Sequence, residues 1–137
     1  MPDQSHVGRR YEAHGQTVDA DRVSAFAQAV AGGDAGYAEG EIPSTFAAVY
    51  CLYPTLGQVF GDPEVGINLA GLVHGEQEFR WPNPVRLGDT IDATATIASV
   101  EEKRGLTFVG IDLTAVNQGG LTVCNGRSLM IIRGGAG

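Results

Sequence analysis

The stretch Leu72–Asp89, LVHGEQEFRWPNPVRLGD, divides this chain into two unlike halves. It opens as an alternating strand, and its closing Pro84-Val-Arg-Leu-Gly88-Asp89 breaks that strand, turns the chain and launches a β-rich remainder. Three more strands follow from the same period of two. Asp89–Glu102 carries Ile91, Ala93, Ala95 and Ile97 on one face and threonines on the other, and Leu106–Val116 and Leu121–Arg133 come after it. Lys103-Arg-Gly105 and Asn117-Gln-Gly-Gly120 supply the turns of two adjoining hairpins.

The first half is mostly helical or loop-like. Residues 1–8 read as a flexible arm and Arg9–Val18 as a short first strand or an extended lead-in, interrupted at His14-Gly15. Asp19-Ala-Asp21 then starts a helix, because an aspartate accepts hydrogen bonds from the free amides of a first turn. Val23, Phe26, Ala27 and Val30 give that helix one apolar stripe, which ends near Gly32-Gly33. A glycine- and acid-rich loop, Gly33–Ile42, leads to a second helix start at Pro43-Ser44-Thr45. From Phe46 to Phe60 the sequence is apolar nearly all round, as a helix buried on every side requires. Pro54 predicts a kink or a tighter final turn, and Gly61-Asp62-Pro63 ends the helix. The expected fold is α+β, one domain over residues 1–137, with an antiparallel sheet wrapped around a long central helix. Such a sheet has open edges, for which dimerisation is the usual remedy.

Composition narrows the function classes. A net charge of −7 with nine Lys and Arg argues against a nucleic-acid partner, which needs a basic face. The N-terminus lacks an apolar signal core and no apolar run approaches ~20 residues, so neither secretion nor a membrane span is expected. Cys51 and Cys124 belong to no Cys-x-x-Cys or Cys/His cluster; two reduced, buried thiols in a cytoplasmic protein without a metal site are expected.

The order of elements, with Val7-Gly8-Arg9, the Val23–Val30 helix, Gly33-Asp34, Ile42-Pro-Ser-Thr-Phe46, His74-Gly-Glu-Gln77-x-Phe79 and Pro84-Val-Arg86-x-Gly88-Asp89, resembles the hot-dog fold of MaoC-like dehydratases and hydratases. The nearest subgroup is the N-terminal half of MaoC dehydratase, similar to the dehydratase domain of type I fatty-acid synthases. The resemblance implies chemistry on a 3-hydroxyacyl or enoyl thioester carried by coenzyme A or the phosphopantetheine of an acyl-carrier protein, with no further cofactor. It also implies fatty-acid or polyketide metabolism. The family device is an aspartate followed five residues later by a histidine. Here Gly33-Asp34-Ala35-Gly36-Tyr37 keeps the aspartate, while the histidine is absent and Tyr37 stands nearby. In that respect the chain resembles the non-catalytic subunit of heterodimeric (3R)-hydroxyacyl-carrier-protein dehydratases, whose partner brings the Asp–His pair.

Each candidate residue carries two readings. Asp34 is a catalytic acid or a turn-forming aspartate, and Tyr37 lines a pocket mouth or is a half-exposed loop aromatic. The amides around Ser44, Thr45 and Phe46 suit a thioester carbonyl that becomes an enolate, and Ser44 also serves as a plain helix cap. Strict alternation places His74 and Glu76 on one strand face, where they form an acid–base pair or, with Glu78 and Arg80, a polar row pointing away from the helix toward a partner. A bulge at Gly75 would instead turn His74 inward. Tyr50, Tyr53 and Cys51 read as core. The alternatives to a heterodimer subunit are a stand-alone homodimeric dehydratase or thioesterase using Asp34 or His74, with Glu39 and Glu41 as further carboxylates, and a non-enzymatic acyl- or polyketide-binding protein.

Overall fold

The computed structural model describes residues 2–31 and 42–133. Strand β1 (Arg10–Thr17) and helix α1 (Ala20–Ala31) come first, and a helical run from Ser44 to Gly61 follows. Strands β2 (Leu72–Arg80), β3 (Thr90–Lys103), β4 (Leu106–Val116) and β5 (Thr122–Arg133) complete the chain. All five strands form one antiparallel sheet in the order β1-β3-β4-β5-β2.

Each strand matches its sequence signal to within a residue or two. Interruption of β1 at His14-Gly15 is real: the register with β3 shifts between Ala13 and Gln16, and Gly15 takes a positive φ of 71°. Arg104 and Gly105, at φ 53° and 78°, turn β3 into β4. The Asn117 side chain accepts from the amides of Gly119 and Leu121 and so holds the next hairpin. At α1, Asp19 accepts from the Arg22 amide at 3.3 Å, as expected of its first-turn carboxylate. Phe26 on the apolar stripe meets Phe46 edge-on, with ring centroids 5.2 Å apart.

The central helix departs from the expected single cylinder. It begins as a 3-10 turn (Ser44–Phe46), widens into a π turn (Ala48–Leu52) and becomes regular only in α2 (Tyr53–Gly61). The irregularity therefore precedes Pro54 and widens the helix, where a kink or a tighter final turn was expected. Proline has no N–H for the carbonyl four residues back, which is that of Tyr50. That carbonyl is taken instead by the Gln16 side-chain amide at 2.6 Å, so the proline leaves no orphan and the helix gains a tie to β1. Thr55, fully buried one residue on, satisfies its hydroxyl on the Cys51 and Leu52 carbonyls.

This run packs chiefly on β1, β3 and β4. Cys51, Leu56 and Val59 from the helix close against Ile91 and Ile97, Ile111 and Leu113, and Met130 and Ile132 of the inner sheet face. Burying one such aliphatic side chain stabilises the fold by about 1.5–3 kcal/mol. Arg9 and Tyr11 fasten the far end, both bonded to Asp62 at the helix C-terminus, at 2.9 and 2.7 Å.

The Pro84–Asp89 segment is a clasp. Gly88 sits at φ 88° and donates to the Val18 carbonyl, while Val18 donates to the Asp89 carbonyl. The Asp89 carboxylate, 8% exposed, accepts from the Arg86 amide and the Gln118 side chain. A different glycine seats the edge strand: a Cβ on Gly126 would stand 2.8 Å from the Glu78 carbonyl oxygen of β2. The two glycines predict different penalties under urea denaturation. Gly88→Ala meets open space and costs only its backbone conformation, about 1 kcal/mol. Gly126→Ala forces β2 away from β5 and costs roughly 2–3 kcal/mol. Equal losses in the two variants would contradict the close strand approach.

Candidate active site

Strand β2 is an edge, paired to β5 and, among the described residues, to no other strand. Its register with β5 shifts between His74 and Glu76, so Gly75 is an extra residue and the strand carries a bulge. A Cβ on Gly75 would lie 2.9 Å from Ile131 Cδ1, so a larger residue there would have to shift the end of that side chain.

The bulge decides where each polar side chain goes. His74 lies opposite Met130, Gln77 opposite Ser128 and Phe79 opposite Gly126, all on the face that carries the core. Glu76, Glu78 and Arg80 lie opposite Leu129, Arg127 and Asn125 on the other face. The expected same-face pairing of His74 with Glu76 is therefore corrected, as is the outward direction of His74, because one extra residue inverts parity. Glu76, Glu78 and Arg80 keep the outward direction that alternation gave them. Glu76 and Glu78 line a groove of about 520 Å³ on the outer face, with Ser99 and Arg127. On the inner face the exposed His74 has its Nε2 3.0 Å from Gln77 Oε1, and the buried Ser128 hydroxyl bonds to that same oxygen.

A second feature lies at the start of the central helix. Ile42, Pro43 and Tyr50 from the helix side, with Trp81, Asn83, Pro84 and Val85 from the segment after β2, line a cavity of about 200 Å³. Asn83 is anchored on the Thr122 carbonyl at 2.9 Å. The Tyr50 hydroxyl, buried beneath, faces the Trp81 indole and the Cys124 thiol. Burial first, and the neighbouring thiols next, raise its pKa well above the tyrosine range. The Cys51 and Cys124 thiols adjoin: their hydrogen bond, and then burial, push the Cys51 pKa up, while the same bond draws that of Cys124 down against the opposing effect of burial. Both cysteines are free and fully buried, in accord with their expected core role, and their contact across helix and sheet is a feature that sequence separation hid.

The remaining candidates divide as follows. Tyr53, expected in the core, is instead exposed at the start of α2. Asp34 and Tyr37, with Glu39 and Glu41, lie outside the described residues. Thr45 is exposed at the helix start, whereas Phe46 is buried between Phe26 and Tyr50 and does not line the cavity. The Phe46 amide donates to the Pro43 carbonyl at 2.9 Å, so the 3-10 turn consumes one of the three amides expected to stay open around Ser44, Thr45 and Phe46. Glu76 faces away from the helix and does not join Thr45 in one pocket. His74 and the cavity lie toward opposite ends of β2, roughly 20 Å apart at about 3.3 Å per residue. From sequence Gln77 is only part of a family-typical word, with no role of its own, and Ser128 is not singled out. Their signals were a glycine between two polar residues three apart, and one serine within the alternating apolar face of β5. Among the described residues no group of three or more His, Cys, Asp and Glu side chains is arranged to hold a metal ion, and no helix is long and apolar enough to cross a membrane.

A sheet of this order with a helical run on one face is the hot-dog arrangement, and comparison with known proteins decides the family. Residues 5–125 match the family model described as FAS1-like, dehydratase domain region. The chain belongs to that family. A UPF0336 protein of Streptomyces avermitilis is 34% identical over 121 residues, covering 80% of each protein. Another, of Saccharopolyspora erythraea, is 28% identical across 99% of this chain and 95% of its own length. Among solved structures, a chain of the truncated HadBC (3R-hydroxyacyl-ACP dehydratase) complex of Mycobacterium tuberculosis superposes with a TM-score of 0.74 at 24% identity, covering 92% of this chain and 96% of that one. The (R)-hydratase from A. caviae gives 0.63 at 18% identity, covering 93% and 98%. These last two share the hot-dog fold with this FAS1-like dehydratase-region chain.

Of the two tyrosines buried among the described residues, Tyr11 and Tyr50, the second offers a direct check. In an alkaline absorbance titration, Tyr50 stays protonated well beyond the ordinary value of about 10. Tyr50→Phe is therefore expected to remove amplitude only from the late part of the curve; loss of amplitude near pH 10 would contradict the buried setting.

Proposed function

We propose that this chain is the acyl-binding subunit of a (3R)-hydroxyacyl-thioester dehydratase or enoyl hydratase of fatty-acid or polyketide metabolism, working as a dimer with a MaoC-like chain that carries the Asp–His pair. Dehydration breaks the Cα–H and Cβ–O bonds of the thioester, forms the double bond and releases water, so it needs one group to take a proton and one to give it. The observation that carries the subunit reading is the residue five positions after Asp34. It is Glu39, in a chain of dehydratase family, and no histidine occurs between Gly33 and Phe46.

In this reading the partner supplies the acid–base pair, and this chain supplies the cavity beside Tyr50 and Trp81 and the helix start at Ser44 and Thr45. The open edge of β2 accepts the partner strand, which runs antiparallel and so brings its own elements beside His74. The acyl group arrives on coenzyme A or an acyl-carrier protein. Loss of water is redox-neutral, and the side chains named suffice for it without a resident cofactor. The inward position of His74 favours one second reading, a homodimer in which His74 itself is the base.

An assay with a short enoyl thioester separates the two. The purified chain alone is expected to hydrate it poorly, and adding a MaoC-like chain with Asp and His should raise the rate about 100-fold or more, the scale of general acid–base catalysis. Robust activity of the chain alone, lost in His74→Ala or Asp34→Asn, would overturn the subunit reading. Release of free thiol would point to thioester hydrolysis instead.

A further inference from the structure

We propose that Gln77 and Ser128 are positioning residues that hold His74 in a single neutral tautomer, with the proton on Nε2 and Nδ1 kept as an acceptor at the open edge of β2.

The assignment follows from a chain of hydrogen bonds in which only one end is ambiguous. Gln77 Nε2 lies 3.1 Å from the Glu78 carbonyl oxygen, which can only accept. The amide nitrogen therefore points at that carbonyl, and Oε1 is the atom turned toward the sheet face. Oε1 in turn can only accept, and it has two neighbours, the Ser128 hydroxyl and His74 Nε2 at 3.0 Å. Both must be donors. Ser128 is fully buried in β5, where an unpaired hydroxyl would be costly, and Gln77 is the partner that satisfies it. His74 is left to present its Nε2–H to the same oxygen, which leaves the lone pair on Nδ1. The alternative tautomer would set a ring lone pair against the Gln77 oxygen.

The bulge makes the relay possible. Residues three apart on a regular strand point to opposite faces, so His74 and Gln77 would be separated by the sheet. The extra residue at Gly75 brings both to the inner face, and Ser128 lies directly opposite Gln77 in the register. The helical run packs chiefly on β1, β3 and β4, and the imidazole is exposed while its anchor is not. An exposed histidine free in solution samples both tautomers; one tied to a buried hydroxyl through an amide does not. The use of that acceptor, toward an acyl thioester or a donor of the partner chain, rests on the reading above, but the tautomer does not.

The test is the two-bond 15N–1H correlation spectrum of the 15N-histidine-labelled full chain, recorded above the pH at which imidazoles lose their charge. His74 is expected as the Nε2–H form by about tenfold over the other, the effect of one hydrogen bond. Gln77→Leu should relax it to the mixture shown by a free imidazole, while Gln77→Glu, which keeps the acceptor, should retain the Nε2–H pattern. Unchanged His6 and His14 signals report that each variant is folded. A His74 signal of the Nδ1–H form, or one that Gln77→Leu leaves untouched, overturns the proposal. If the tautomer is fixed and yet His74→Ala leaves the assembled dimer fully active, the relay stands and the catalytic use of His74 falls.

Discussion

One extra residue in an edge strand governs what this molecule can present to a substrate or a partner. At Gly75 the ladder between β2 and β5 slips by one, and every side chain N-terminal to it exchanges faces relative to those after it. Without that slip His74 would join Glu76, Glu78 and Arg80 in one outward polar row. With it, His74 and Gln77 share the inner face with Phe79, and the carboxylates stay behind. The slip sets Gly75 against the end of the Ile131 side chain, and β2 lies close to β5 because Gly126 leaves room for the Glu78 carbonyl. Backbone space at two glycines thus precedes the chemistry of any side chain on this strand.

Much of this architecture is legible in the sequence. Alternation from Leu72 onward, the glycine turns and the Asp19 cap are short-range signals, each read from neighbours within a few residues. They located all five strands and α1. The clasp at Pro84–Asp89 was visible as a strand breaker, although its partners, Val18 and Gln118, are far off in sequence. What alternation could not resolve was a choice between two registers. The pattern His-Gly-Glu-Gln is compatible with a regular strand or a bulged one, and the difference rests on packing against Ile131 and Ser128 in another strand. The π turn before Pro54 was hidden for a similar reason: the carbonyl that the proline frees is satisfied by Gln16, which lies in β1.

The site itself was legible in part. Of the side chains that family-typical words single out, those within the described residues do not assemble into one pocket within a single chain. Glu76 lies on the wrong face, Phe46 is core, and His74 stands toward the other end of β2 from the cavity beside Tyr50 and Trp81. In the proposed function, the open strand edge, the exposed imidazole with its buried anchor and the separate apolar cavity are half of a site, which antiparallel addition of a second strand at β2 would complete.

Every element of this account depends on the face to which His74 belongs. Nuclear Overhauser contacts from its imidazole protons in the isolated chain report that face directly. The bulged register predicts contacts to the Met130 side chain, opposite it on β5. Contacts instead to Ile131 or Leu129, the outward residues of β5, would contradict the account and return His74 to the polar row with Glu76.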